Sequence, residues 1–206
     1  MISESTSIDA ERLRIFFAEL ADVPLEEWQL FKGCLKQQVL KPGQHVIKAG
    51  ESAAIMSFVL KGLLMAYYQN ADGREIVRNF TLENQLACAY KSASRAAPSH
   101  VSIVALEETV VLTFSYQDLL DAYDRSAVWE RVGRKLFEAY CGAFERRTFQ
   151  LMALDAKSRY EDLSRDYPEL IKRVQRQYIA TFLGITPQSL SRLMKDTTHL
   201  PSIRKP

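Results

Sequence analysis

The spacing of apolar residues divides the chain into a helical start, a stranded middle and a helical remainder. Ile8, Leu13, Phe16, Phe17 and Leu20 recur at helical spacing, and Asp9 is placed to cap the first turn. Pro24 suits the first turn of a second helix carrying Leu25, Trp28, Leu30 and Phe31. From 36 to 115 the pattern is that of strands. Lys41-Pro42-Gly43 and Ala49-Gly50-Glu51 read as turns around a short strand at His45–Lys48. Ile55–Leu60 and Leu63–Tyr68 are apolar runs separated by Lys61-Gly62, a tight hairpin signal. Asn70-Ala71-Asp72-Gly73 is a second hairpin turn leading into Glu75–Phe80, and Val101–Leu106 and Val110–Phe114 close the series. Short strands with such regular turn signals predict an antiparallel roll or sandwich.

From Tyr116 the helical period returns. A short helix carries Leu119, Leu120 and Tyr123, and a long one follows from about Ala127 to Leu154. No proline interrupts it, and at 1.5 Å per residue it would span about 40 Å. Val128, Val132, Leu136, Ala139 and Ala143 fall near a heptad seam, the pattern of a helix pairing with a second copy. Gly133 and Gly142 would let a partner helix approach closely. Ordinary packing of this helix on its own core is the competing reading.

The segment Arg176 to Lys195 reads as helix, sharp turn, helix. Ala180 is small enough for a close crossing, and Gly184 stands where the chain must turn. Ile179, Leu183, Ile185, Leu190 and Leu193 form one apolar seam. Thr186 is an N-cap, and Pro187 is pre-set for the first helical position. The other face presents Gln188, Ser189, Ser191, Arg192 and Lys195. Glutamine can bond adenine and arginine guanine, while serine and lysine hold phosphates. A plain helical hairpin with a polar face is the alternative.

Composition sharpens this division. The 206 residues carry a formal net charge of +2. Residues 156–206 hold 10 basic and 5 acidic side chains, whereas residues 1–155 hold 17 and 20. The basic excess therefore coincides with the helix-turn-helix, as a nucleic-acid-binding end requires. Apolar runs are too short for a membrane span, and the N-terminus lacks the pattern of a signal peptide. The three cysteines, Cys34, Cys88 and Cys141, are scattered, which fits a reducing, cytoplasmic setting without a disulfide framework or an iron–sulfur cluster. His45, His100 and His199 are isolated, so neither a metal site nor a haem site is expected. No hydrolase, nucleotide-triphosphate or zinc-protease motif occurs, and the chain is not expected to be an enzyme. Cys88 reads as a small buried hydrophobe, with redox sensing as the alternative.

Taken together, the Pro42-Gly43 and Ala49-Gly50-Glu51 turns, Phe58 to Leu63 and Gln177 to Lys195 resemble the CRP/FNR-type bacterial transcription regulators. The resemblance covers nearly the whole chain. It implies an α+β fold with N-terminal helices, an antiparallel β-roll of jelly-roll type, a long dimerisation helix and a C-terminal helix-turn-helix. Its implied divisions are a cyclic-nucleotide-binding-like sensor at 1–126, a dimer helix at 127–154 and a DNA-binding unit at 155–206. It implies homodimers on palindromic double-stranded DNA, with RNA polymerase as a further candidate partner. The base-reading face falls on Pro187, Gln188 and Arg192, with Thr186, Ser189, Ser191 and Lys195 beside it. Pro187 stands where nucleotide-responsive members often have arginine, which implies a different half-site preference.

The sensor departs further from the family. Cyclic-nucleotide-binding members carry a Gly-Glu-Leu turn and an Arg-Ser pair. The matching stretch here runs from Leu82-Glu83-Asn84-Gln85 to Ser99-His100 and lacks both. Lys91 and Arg95 lie in the same connection as substitute cations. These departures speak against cyclic AMP, leaving an unknown small effector, or none. Glu83, Asn84, Gln85, Lys91, Arg95, Ser99 and His100 are the candidate pocket residues. An effector would act by shifting a hinge near Leu151–Asp155. Only eleven residues follow Lys195, which predicts the lack of a full β-hairpin wing and leaves Arg204-Lys205 as a basic tail. The reading from another class is an effector-binding module whose helical tail makes protein contacts.

Overall fold

The computed structural model describes residues 4–95 and 97–197. Helix α1 (Glu4–Leu20) already runs through Asp9, which is therefore an interior residue and not the cap. Pro24 sits at the N-cap position of α2 (Leu25–Lys32), where its φ of −57° sets the chain for the first turn. After the strands come α4 (Tyr116–Arg125) and α5 (Ala127–Ala153). Ser115 and Asp118 form a reciprocal capping box on α4. Ser126 ends α4 and caps α5, because its hydroxyl accepts the Val128 N–H.

These helices share an aromatic core. Trp129 of α5 stacks on Phe31 of α2 at 4.4 Å and meets Phe17 of α1 edge-on at 5.4 Å. Phe114 of the last strand closes the cluster on Phe31 at 5.1 Å. Edge-to-face and offset contacts of this kind add to plain area burial. The Trp129 indole nitrogen is buried there with no hydrogen-bond acceptor among the described residues.

The middle of the chain forms two four-stranded antiparallel sheets, an open jelly roll and not a closed barrel. Its strands are β1 (Lys36–Leu40), β2 (His45–Ile47), β3 (Ile55–Lys61), β4 (Leu64–Gln69), β5 (Glu75–Thr81), β6 (Leu86–Cys88), β7 (Ser102–Ala105) and β8 (Thr109–Ser115). One sheet has the order β1-β8-β3-β6 and the other β2-β7-β4-β5. A short helix α3 (Tyr90–Arg95) follows β6. The Asn70–Gly73 turn joins paired strands, as expected of a hairpin. The Lys61-Gly62 turn does not: β3 and β4 belong to different sheets, so the chain crosses between layers there. Gly62 has φ +98°, and a Cβ on it would lie 2.7 Å from the Glu108 carbonyl oxygen. Close approach of the β7–β8 turn, rather than hairpin geometry, is what requires glycine. Strand β1 escaped the sequence pattern because Lys36 to Val39 are all exposed and show no alternation.

The C-terminal helices are α6 (Ala156–Asp166), α7 (Pro168–Arg173), α8 (Arg176–Leu183) and α9 (Pro187–Thr197). Tyr160, Leu163, Leu170, Val174, Ile179, Ala180, Leu183 and Leu190 form their core. The roll contributes to it directly. Leu63 is fully buried within that cluster, and Phe80, Leu82 and Leu106 pack against it. The anticipated lack of a wing, His199 and Arg204-Lys205 lie outside the described residues.

Helix α5 corrects the first half of the seam read from the heptads. Val132 is fully buried in the chain's own aromatic core, with Val128 and Leu136 against it. Ala139 and Ala143 edge an intramolecular cavity. The a/d-like stripe thus faces inward at Val128, Val132 and Leu136, while Ala139 and Ala143 remain exposed. Gly133 likewise serves the same chain, since a Cβ there would strike the Tyr123 hydroxyl of α4. The exposed large apolar side chains of α5 are Phe149 and Met152 and, on one face, Phe137, Phe144 and Leu151 with Cys141 between them. Phe137, Phe144 and Leu151 also step by heptad intervals, on a face about 130° around the helix from the first.

Candidate functional site

The helix-turn-helix closes through local hydrogen bonds. Gly184 takes a left-handed conformation at φ +70° and ends α8. The Ile185 N–H then reaches back to the Ala180 carbonyl at 3.0 Å, a Schellman closure. Ala180 has no exposed surface, so α9 crosses directly over it. Thr186 caps α9: its hydroxyl accepts the Ser189 N–H at 3.2 Å, and its carbonyl accepts the Leu190 N–H at 3.0 Å. Leu190 is fully buried, with Ile185 and Leu193 against the same core. The remaining face is open. Thr186, Pro187, Gln188, Arg192 and Lys195 are exposed, and Ser189 and Ser191 are half-buried. Gln188, Arg192 and Lys195 are spaced four and three apart, so one side of α9 carries all three.

The structure does not gather the predicted pocket residues around one space. Glu83 binds Arg173 of α7 and the N–H of Gly62. Asn84 is exposed and accepts from Arg12 of α1. Ser99 is buried in its own turn, bonded to Val101. Lys91, Arg95 and His100 are exposed. Only Gln85 lines the main cavity.

That cavity, about 800 Å³, lies between the β4–β5 sheet, α5 and the C-terminal helices. Its apolar wall includes Met56, Phe80, Leu86, Leu136 and Phe144, and its polar groups include Arg78, Asn79, Thr81, Tyr90, Tyr123 and Tyr140. Arg78 was not anticipated. In the β4–β5 pairing Ala66 faces Asn79 and Tyr67 faces Val77, so Arg78 is the extra residue of a bulge. A bulge re-aims its side chain. The guanidinium donates to Asn79 Oδ1 at 2.8 Å and to the Cys88 carbonyl at 3.3 Å. No carboxylate pairs with it among the described residues. The only sequence signal was an arginine inside an apolar strand.

Burial perturbs several titrating groups that line the cavity. Burial, with a hydrogen bond from the Tyr90 hydroxyl to Tyr116, pushes the Tyr90 phenol up to about 12. Burial also raises Tyr123, Tyr140 and Cys88. A raised thiol is a weak thiolate source, consistent with Cys88 as a packed hydrophobe. Tyr90 stacks beside Phe137 at 5.1 Å and Tyr140 at 5.7 Å, joining the roll to α5. At the far end of the cavity Arg147 of α5 lies 3.9 Å over the Phe182 ring and donates to the Phe182 carbonyl. Burial, and then the charge of Arg159, lower its pKa to about 10. His45 bonds the Tyr67 hydroxyl at 2.9 Å, a structural role. Among the described residues, His, Cys, Asp and Glu form no group able to hold a metal. No helix among them is long and apolar enough to cross a membrane.

Residues 37–126 match the cyclic nucleotide-binding domain family. The structure of FixK2 from Bradyrhizobium japonicum superposes with a TM-score of 0.65 at 20% identity, covering 80% of this chain and 84% of that one. A CRP/FNR-family regulator from Eubacterium rectale gives 0.67 at 18% identity, over 86% and 84%. CLP from Xanthomonas campestris, described as a c-di-GMP-responsive global regulator, gives 0.63 at 16% identity, over 85% and 92%. No curated protein sequence matches significantly. The chain therefore has the fold of CRP/FNR-type transcription regulators around a cyclic nucleotide-binding domain.

Proposed function

We propose that the protein is a cytoplasmic, homodimeric, sequence-specific DNA-binding transcription regulator. The observation that carries this reading is α9: capped by Thr186, seated on Ala180, and presenting Gln188, Arg192 and Lys195 together on an open face. Such a helix fits the major groove, where Arg192 and Gln188 meet base edges and Lys195 meets phosphate. Two copies pair along the exposed Phe137, Cys141, Phe144 and Leu151 face of α5. Each then offers its α9 to one half-site of a palindrome.

The cavity is the effector site in this reading. An unneutralised Arg78 beside tyrosines and an apolar wall suits a small anionic, partly apolar molecule. The Gly-Glu-Leu turn and Arg-Ser pair of cyclic AMP sites have no counterparts here, which supports an effector other than cyclic AMP. Selection of bound duplexes from a random pool, with and without cell extract, tests the whole scheme. A palindromic site with steeply salt-dependent affinity is expected, because phosphate contacts release counterions. Arg192→Ala should weaken binding by about 1–3 kcal/mol and relax preference at one base pair. Failure to enrich any duplex would return the helical tail to a protein-contact role.

A further inference from the structure

Helix α5 stops at Leu154, whose backbone is extended at φ −100°, ψ 146°, and Asp155 at once caps α6. One extended residue fixes the distance between the sensor and the helix-turn-helix unit but not their angle. That angle is set by contacts, and the most directional of them centres on Arg173. From the last turn of α7 its guanidinium reaches into the roll, between Glu83 on the β5–β6 turn and Glu107 on the β7–β8 turn. It donates to both Glu83 oxygens at 2.8 and 3.1 Å, and to both Glu107 oxygens at 2.6 and 3.3 Å. Glu83 is itself anchored, accepting the Gly62 N–H at 3.0 Å. Beside this grip Leu63, from the same crossing as Gly62, is sunk in the core of the C-terminal helices.

We propose that Arg173, held between Glu83 and Glu107, is a positioning residue for DNA-site selection: it fixes the angle of the helix-turn-helix unit on the β-roll, and so the half-site spacing that the dimer accepts. This rests on the DNA-binding reading above. The lever is short but sensitive. Helix α6, of 11 residues, is about 16 Å long, so a swing of about 12° at its foot moves its far end by about 3.4 Å, the rise of one base pair. A planar guanidinium gripping two carboxylates resists such a swing, because rotation breaks paired, directional hydrogen bonds. Lysine in its place offers one compact charge and no fork. The grip lies on the roll side of the unit, in α7, and the open face of α9 takes no part in it. Arg173 therefore acts on spacing without touching the bases.

The test uses the full chain and a set of palindromic duplexes whose half-sites are moved apart one base pair at a time. A duplex with a single half-site serves as reference. The wild type should prefer one spacing sharply. Arg173→Gln should flatten that preference by about tenfold, equivalent to about 1.4 kcal/mol, while affinity for the single half-site stays the same. Arg173→Lys should recover part of the selectivity. Glu107→Gln, which keeps the Glu83 pair, should give a smaller loss and serves if the glutamine variant at 173 does not fold. Wild-type spacing selectivity in folded Arg173→Gln or Glu107→Gln overturns the proposal alone. So does an equal loss of affinity at every spacing and at the single half-site. A wild-type protein that binds no duplex overturns the DNA reading, and this proposal with it.

Discussion

Gly62→Ala should be among the most damaging single-methyl changes in the roll. The residue sits at φ +98°, where an L side chain costs about 1–2 kcal/mol in local sterics. A Cβ there would also lie 2.5 Å from Thr109 Oγ1 and 2.7 Å from both the Glu108 carbonyl oxygen and Thr109 Cα. Two of these three atoms are backbone, so no rotamer change relieves the clash. Overpacking of this kind adds about 1–3 kcal/mol. Thr109 Oγ1 also accepts the Leu63 N–H at 3.1 Å in a buried setting, and moving it would leave that donor unpaired. The total expected is about 2–5 kcal/mol, a large share of the roughly 5–15 kcal/mol of a typical domain. Gly43→Ala provides the control, because Gly43 has φ +80° but nothing within 4 Å of a Cβ. It should lose only the backbone part. Urea unfolding of the two variants measures the difference through the midpoints at a common slope. Losses equal within about 0.5 kcal/mol would refute the argument that close approach of the β7–β8 turn demands glycine at 62.

Three further outcomes follow from the packing and the charges. Leu63→Ala, although in the roll, should cost about 2–5 kcal/mol and raise hydrogen exchange in α6 to α8, because Leu63 is fully buried in their core; unchanged exchange there would contradict that role. Mild oxidation should link two chains through Cys141, on the exposed face of α5, since paired helices bring such positions within disulfide reach; Cys141→Ser should abolish the link on non-reducing gels, and Cys34→Ser or Cys88→Ser should not. Burial acts to raise Glu83, but hydrogen bonds from Arg173, its own backbone and Gly62 outweigh this and hold the carboxyl below the usual carboxylate range. With the folded value below the unfolded one, its stabilisation is complete above about pH 4.3 and is lost as pH falls through the lowered value. The urea midpoint should therefore fall in acid, and less steeply in Glu83→Gln; parallel slopes would count against it.

The helix-turn-helix was legible because its requirements are local. Ala180, Gly184, Thr186 and Pro187 each answer a constraint set by neighbours within a turn or two, so spacing alone exposes them. The strands from Ile55 to Phe114, apart from the three-residue β6, were legible from turn residues and apolar runs. What escaped depends on the third dimension. Lys61-Gly62 has the composition of a hairpin, and only the sheet order shows that β3 and β4 lie in different layers. Val132 and Phe144 both lie on heptad-spaced stripes of α5, and periodicity cannot say which stripe faces the chain's own core. Arg78 reaches the cavity through a one-residue bulge, which leaves no mark in composition. Glu83 and Arg173 are 90 residues apart, beyond any local pattern.

The aromatic core has a spectroscopic consequence. Both tryptophans of the chain, Trp28 and Trp129, lie in that one cluster at the roll end, and α6 to α9 contain tyrosine but no tryptophan. Indole emission therefore reports the β-roll and the helices packed on it, from an apolar setting in which the Trp129 nitrogen has no acceptor among the described residues. Far-ultraviolet dichroism weighs the C-terminal helices as well. Melting curves from the two signals would coincide if Arg173 and Leu63 couple the halves into one cooperative unit, and would separate once that coupling is cut.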